Sequence, residues 1–98
     1  MNIDVKAVHF DLNDETRDFI DKKMEKFDFV KDMLVDVLFT LTKEKNYLIE
    51  VTMNFRWGVS SHIKVKSYEL HEGLDTLFDK MDKKIRKEKE KITEHKPS

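Results

Sequence analysis

The segment from Leu34 to Trp57 alternates twice between apolar and polar residues, around a polar turn at residues 43–46. A period of two places every second side chain on the same face of a strand, so the pattern predicts a β-hairpin with one buried face. The residues expected on that face are Val35, Val37, Phe39, Leu41, Ile49, Val51, Met53, Phe55 and Trp57. A hairpin alone is marginal in water, so other elements must cover this face.

Shorter alternating segments lie on both sides of the hairpin. Residues 2–9 place Ile3, Val5 and Ala7 on one side. After a turn at Gly58, Ile63 and Val65 alternate with His62, Lys64 and Lys66. This last strand is short and polar, which is typical of a sheet edge.

Two segments have helical periodicity. Asn13 is a candidate N-cap for a helix over residues 14–29, whose apolar stripe is Thr16, Phe19, Ile20, Met24 and Phe27. A longer helix near the C-terminus has the stripe Leu70, Leu74, Leu77, Phe78, Met81 and Ile85, continued by Ile92. Glu88 interrupts this stripe, so we expect the final two turns to project beyond the core.

The order of elements is therefore β-α-β-β-β-α. It predicts an α+β two-layer sandwich, in which a four-stranded sheet carries both helices on one face. The first crossover should be right-handed and make the two strands that it joins parallel. With 98 residues the chain has room for one core. We expect one domain at residues 1–93 and a short polar tail at 94–98.

Several classes of function find no support in the residues. There is no cysteine, which excludes disulfides, thiolate metal sites and a cysteine nucleophile. The four histidines lack metal-ligand spacing, and no catalytic constellation or phosphate loop can be assembled. We therefore expect no enzyme activity, no metal or cofactor and no small-molecule substrate. No apolar run approaches the length of a membrane span and the start lacks a signal peptide, so the expected location is cytoplasmic.

The charges are segregated, although 19 basic and 20 acidic residues nearly cancel. Lys80, Lys84, Lys87 and Lys91, here called the basic row, share one flank of the second helix because they are spaced by four, three and four residues. Lys22, Lys23 and Lys26 lie on one side of the first helix. Side-by-side helices could merge both sets into one basic groove that binds phosphates. A solvated charged face is the alternative explanation of the same pattern.

The aromatic residues do not indicate an RNA-stacking sheet. Phe39, Phe55 and Trp57 occupy inward positions and are interpreted as core. The outward strand positions offer no aromatic side chain for stacking on bases. Tyr47 and Tyr68 lie at strand ends, where we expect them to cover the edge of the core.

Three segments resemble a known family. They are Met-Asn-Ile with His9, Asp14, Arg17 and residues 22–27; the strand at residues 49–53; and, in the second helix, Leu74, Asp75, Asp79, Lys80, Met81, Ile85, Arg86, Lys87, Lys89 and Lys91. Over about residues 1–93 the chain is similar to the ribosome hibernation promoting factors, also called the ribosome-associated inhibitor or sigma-54 modulation family. It resembles the short type, which lacks the dimerising domain of long members.

The resemblance implies a double-stranded-RNA-binding-like fold and a hibernation function. Family members bind the decoding region of the small ribosomal subunit, contact 16S rRNA, block mRNA and tRNA binding and inhibit translation in idle cells. The residues that the resemblance makes candidate rRNA contacts are Lys22, Lys23, Lys26, Lys80, Lys83, Lys84, Arg86, Lys87, Lys89 and Lys91. We expect the protein to be a monomer off the ribosome.

Some positions depart from the family pattern. Glu88 stands where histidine is usual and adds a negative charge beside the basic row, and His71 replaces a common tyrosine. Ala7 and Val8 replace a glycine and a basic residue, and no role is transferred from residues 58–68.

Two other functions stay open: a protein-interaction regulator of the sigma-54 modulation type, and a generic double-stranded-RNA-binding module.

Overall fold

A computed structural model of the chain describes the backbone of residues 1–94 and the side-chain surroundings of residues 1–91. The elements are β1 (Asn2–Val8), α1 (Asp14–Glu25), a 3-10 turn (Asp28–Val30), β2 (Leu34–Lys43), β3 (Tyr47–Phe55), β4 (Ser60–Ser67) and α2 (Leu70–Glu94). The β-α-β-β-β-α prediction is confirmed. Of the predicted tail, Glu94 ends α2 and residues 95–98 lie outside the described part of the chain.

The four strands form one sheet in the order β1-β2-β3-β4. β1 pairs with β2 in parallel, as the crossover prediction requires, and the other two pairings are antiparallel. β4 is an edge strand, as predicted. Both helices contribute side chains to a single core with the inner face of the sheet. The opposite face is open, and none of its strand residues is Phe, Tyr or Trp.

Aromatic side chains join the two layers at the centre of the core. Phe78 of α2 lies between Phe27 and Phe39, with ring centroids 6.3 and 5.6 Å away, and all three rings are buried. Burying one such side chain contributes about 1.5–3 kcal/mol relative to leaving it exposed. The stripes predicted for the two helices supply further core residues, including Ile20, Met24 and Met81, and the strands supply the others.

α1 begins at the predicted residue but ends earlier than predicted. The Thr16 amide donates to Asn13 Oδ1 at 2.8 Å, which satisfies one of the free donors in the first turn. The α-helix stops at Glu25 instead of continuing to Phe29, and the chain tightens into the 3-10 turn. Phe27 and Val30 remain buried there while Phe29 is 49% exposed. The tighter turn therefore redirects the chain towards β2 without removing the apolar residues from the core.

Two inward assignments in the hairpin are wrong. Val35 is 41% exposed and Leu34 is buried, because the β2–β3 register shifts between Leu34 and Asp36. Val35 is the extra residue of a bulge, which reverses the alternation at the start of the strand. Trp57 is 40% exposed because β3 ends at Phe55, and the turn that follows uses Gly58 at a φ of 86°.

The two tyrosines at strand ends have different environments. Tyr47 is half-buried against Phe10, with ring centroids 5.6 Å apart, as expected for a residue at the edge of the core. Tyr68 is 84% exposed in the connection between β4 and α2, so the corresponding prediction is wrong for this residue. The connection spans only two residues and directs Tyr68 away from the sheet.

Neither α-helix in the described residues is long and apolar enough to cross a membrane.

Candidate nucleic-acid interface

A groove runs between β4 and α2 at the edge of the sheet, with a volume of about 560 Å³. One wall consists of Ser61, His62 and Ile63 from β4, and the other consists of Lys80, Lys83, Lys84 and Lys87 from α2. We call it the β4–α2 groove. None of its lining residues is acidic, so four ammonium groups give the groove a positive potential.

The amphipathic pattern of α2 determines which lysines enter this groove. Leu77, Met81 and Ile85 face the sheet and are buried. Lys80, Lys84 and Lys87 follow the flank next to that stripe, because residues three and four apart are neighbours on a helix. α2 lies over β3 and β4, so this flank borders the outer edge of the sheet. Three of the four members of the basic row therefore line one groove.

The other flank of α2 faces α1. Lys23 Nζ lies 3.0 Å from Asp75 Oδ1, and His71 Nε2 lies 3.0 Å from the Thr16 hydroxyl. Lys23 therefore pairs with an acidic residue of α2 instead of joining its basic row, and no α1 residue lines the groove, so the predicted merging of the two lysine sets into one groove is wrong. The stripe that buries α2 on the sheet also turns its basic row away from α1.

Arg86 and Lys89 lie on the α1 side of α2. The Arg86 guanidinium is 5.5 Å and the Lys89 ammonium 5.1 Å from the centre of the Phe29 ring, which follows α1. Arg86 Nε also donates to Asp82 at 3.2 Å. The candidates thus form two groups: the groove side, with Lys80, Lys83, Lys84, Lys87 and Lys91, and the α1 side, with Lys22, Lys23, Lys26, Arg86 and Lys89.

Glu88 lies within the basic row and is only 3% exposed. Lys84 Nζ is 3.2 Å and Lys91 Nζ 3.3 Å from Glu88 Oε1. Burial raises the pKa of the Glu88 carboxyl, but hydrogen bonds and charges from Lys84 and Lys91 outweigh it and hold that pKa below its ordinary value. Glu88 thus lies beside the basic row, as expected, and two lysines of the row contact its carboxyl group directly.

The described residues offer no metal site: no three side chains of His, Cys, Asp or Glu among them come together. The groove is instead suited to a polyanion, because ammonium groups on flexible stems neutralise phosphates without requiring fixed coordination geometry.

The β4 wall was missed by the sequence analysis, which assigned no role to residues 58–68. Ser61, His62 and Ile63 give no charge or motif signal of their own. The detectable signal was indirect, since an edge strand that precedes a long helix in the chain is a candidate neighbour of that helix.

Comparison with known proteins identifies the family. The family described as Sigma 54 modulation protein / S30EA ribosomal protein matches residues 3–93, and this chain belongs to it. The chain is similar to a protein named ribosome hibernation promoting factor from Azotobacter vinelandii. The two are 26% identical over 95 residues, which cover 96% of this chain and 88% of that protein.

Solved structures share the fold. A ribosomal subunit interface protein from Coxiella burnetii superposes with a TM-score of 0.83 at 17% identity, covering 91% of this chain and 98% of that one. The N-terminal domain of Protein Y from Thermus thermophilus gives a TM-score of 0.78 at 18% identity, with 89% and 98% covered. The four-stranded, two-helix architecture is thus the architecture of these proteins.

Proposed function

We propose that this protein is a ribosome hibernation factor that binds the decoding region of the small ribosomal subunit through 16S rRNA. Bound there, it blocks mRNA and tRNA and inhibits translation in idle cells. The observation that carries the proposal is the β4–α2 groove, which presents four lysines and no acid in a member of this family. The name of the Azotobacter vinelandii relative supports the same function.

Phosphate binding by the groove has a simple physical basis. Each phosphate that a lysine neutralises releases condensed counterions, which favours binding and makes it depend on salt. Among residues 1–91, no acid lies within ion-pair distance of Lys80, Lys83 or Lys87. These three ammonium groups are available to an RNA backbone without breaking an internal pair.

The α1 side offers a second basic surface. Lys22 and Lys26 are exposed on and just after α1, and Arg86 and Lys89 flank the Phe29 ring. Basic side chains on both flanks of α2 suit an RNA that surrounds the helix better than a short duplex that touches one face. The ribosome, rather than isolated duplex RNA, is therefore the proposed partner.

Co-sedimentation with purified small subunits tests the groove. Replacing Lys80 and Lys87 with Gln should weaken binding about tenfold at 150 mM salt and flatten the log–log salt dependence by about two units, at roughly 0.9 per phosphate contact. The matched control replaces Lys6 and Lys45 with Gln. These two lysines are exposed and belong neither to the groove side nor to the α1 side, so their replacement should change binding less than twofold. Equal effects of the two double variants would contradict a role for the groove.

Competition tests the proposed mode of inhibition. We expect saturating mRNA and tRNA to displace the protein from small subunits, and the protein to inhibit translation of a reporter in a purified system. Binding that survives saturating mRNA and tRNA would place the protein elsewhere on the ribosome. Equally tight binding to a plain RNA duplex would instead support the generic RNA-binding module.

A further inference from the structure

We propose that Glu88 restrains part of the basic row: its carboxylate holds Lys84 and Lys91 in the free protein, so these two lysines bind RNA phosphates only after giving up their contacts to Glu88. The inference rests on the proposed function, since it concerns how tightly and with what salt dependence the same surface binds RNA.

In the free protein the Glu88 carboxylate occupies the position between Lys84 and Lys91 at which another anion could contact both lysines. Lys84 precedes Glu88 by four residues and Lys91 follows it by three, so both stems lie on the same flank of α2. Their ammonium groups converge on the same oxygen, Oε1, at 3.2 and 3.3 Å. The same two ammonium groups could donate in the same way to one oxygen of a phosphate.

Burial of the carboxylate makes the exchange costly. Glu88 is 3% exposed, and a buried charge that loses its partners is destabilised far more than an exposed one. The Lys84 and Lys91 side chains are themselves 34% and 52% exposed, so the cost of the exchange falls on the Glu88 carboxylate, which would be left without its two partners. In the free protein the lysines that bind phosphate without such an exchange are Lys80, Lys83 and Lys87.

Glu90 provides a matched control. It lies two residues further along α2, carries the same charge and is exposed, whereas Glu88 is buried within the basic row. If Glu88 acted only through the long-range field of its charge, removing either charge would strengthen RNA binding by a similar factor. If Glu88 acts by holding two lysines, its removal has the larger effect.

The experiment measures the affinity of the full chain for small ribosomal subunits from 50 to 300 mM salt. Glu88→Gln should bind about three- to tenfold more tightly at 100 mM, and its log–log slope should steepen by about one to two units as one or two phosphate contacts are gained. Glu90→Gln should change affinity less than twofold. Circular dichroism and thermal melting check that both variants keep the wild-type helix content.

Lys91→Gln gives a second readout, and its effect in the wild-type background does not depend on the folding of the Glu88 variant. It should change affinity less than about twofold in the wild-type protein and several-fold in the Glu88→Gln background, which is a coupling measured by a double-mutant cycle. A tenfold loss for Lys91→Gln alone would overturn the inference.

Failure of this inference can be told from failure of the proposed function. If Glu88→Gln binds no more tightly than Glu90→Gln, while the Lys80 and Lys87 double variant still loses affinity, Glu88 does not restrain the row and the function stands. If the double variant also binds like the wild type, the groove is not the RNA surface and both proposals fail.

Discussion

The Lys23 ammonium of α1 and the Asp75 carboxylate of α2 lie 3.0 Å apart, across the contact between the two helices. The pair lies where α1 meets the flank of α2 opposite the basic row. The basic row faces β4 because the buried stripe of Leu77, Met81 and Ile85 sets the rotation of α2 on the sheet. The protein therefore has two separate basic surfaces, one along β4 and one beside α1.

The Lys23–Asp75 pair should contribute little to the stability of the fold. The side chains of Lys23 and Asp75 are 39% and 54% exposed, so water screens their attraction. We expect Asp75→Asn to lower the free energy of unfolding in urea by about 0.2–1 kcal/mol. A cycle with Lys23→Gln should assign most of that loss to the pair. A coupling above about 2 kcal/mol would show that the pair is a principal support of the helix contact.

Periodicity alone identified every strand and helix, but it did not show where the alternation breaks. Phe39 and Ile49 follow the period-two pattern and are buried as predicted. Val35 fits the same pattern and is exposed, because a bulge depends on how two strands pair and leaves no mark in one strand's composition. The prediction for Trp57 is wrong for a similar reason, since β3 ends at Phe55, two residues before the apolar pattern does.

Only part of the candidate site was predicted, because residue spacing shows which side chains share a flank of a helix but does not show what that flank contacts. Helical spacing correctly grouped Lys80, Lys84 and Lys87 on one flank of α2. Which neighbour that flank faces is a tertiary property, and the sequence suggested α1 where the structure has β4. The contact between Glu88 and its two lysines follows from spacing, but the burial of its carboxylate does not.

Gly73 sets the close approach of α2 to the sheet. A Cβ atom at this position would lie 2.7 Å from Ser67 Cβ and would also meet the end of the Ile49 side chain. Gly73→Ala gains about 1 kcal/mol of helix propensity, but overpacking costs about 1–3 kcal/mol. We expect a net loss of about 1 kcal/mol in urea unfolding. A stabilised variant would mean that α2 can move away from Ser67 without cost.

The N-cap of α1 is a second position where one side chain has a measurable effect. Asn13 Oδ1 accepts the Thr16 amide at 2.8 Å. Asn13→Ala should lower the free energy of unfolding by about 1 kcal/mol, whereas Asn13→Asp should keep the cap and change stability little. If Asn13→Ala and Asn13→Asp have the same free energy of unfolding, the side-chain cap does not stabilise the helix.

The free protein should be monomeric despite an open edge strand. β4 exposes Lys64 and Lys66 and borders the lysines of the β4–α2 groove, so edge-to-edge pairing of two copies would bring like charges together. Light scattering at micromolar concentration should give the mass of one chain. A stable dimer at that concentration would contradict this expectation.

Acid should remove the stabilising effect of the Glu88 charge. The folded-state pKa of Glu88 is held below its ordinary value, so the unfolded chain takes up a proton at higher pH than the folded one. The contribution is therefore complete above the ordinary glutamate pKa of about 4.3. It is lost as the pH falls through the lower, folded-state value.

Thermal melting of the wild type and Glu88→Gln at pH 7, 5, 4 and 3 measures this loss. The Gln side chain cannot ionise, so the difference in Tm, wild type minus variant, should hold between pH 7 and 5 and decrease below about pH 4. Glu90→Gln, which removes an exposed charge from the same helix, should show a smaller change over that range. A difference that grows as the pH falls would mean that burial dominates and that Lys84 and Lys91 do not hold the carboxylate in its charged form.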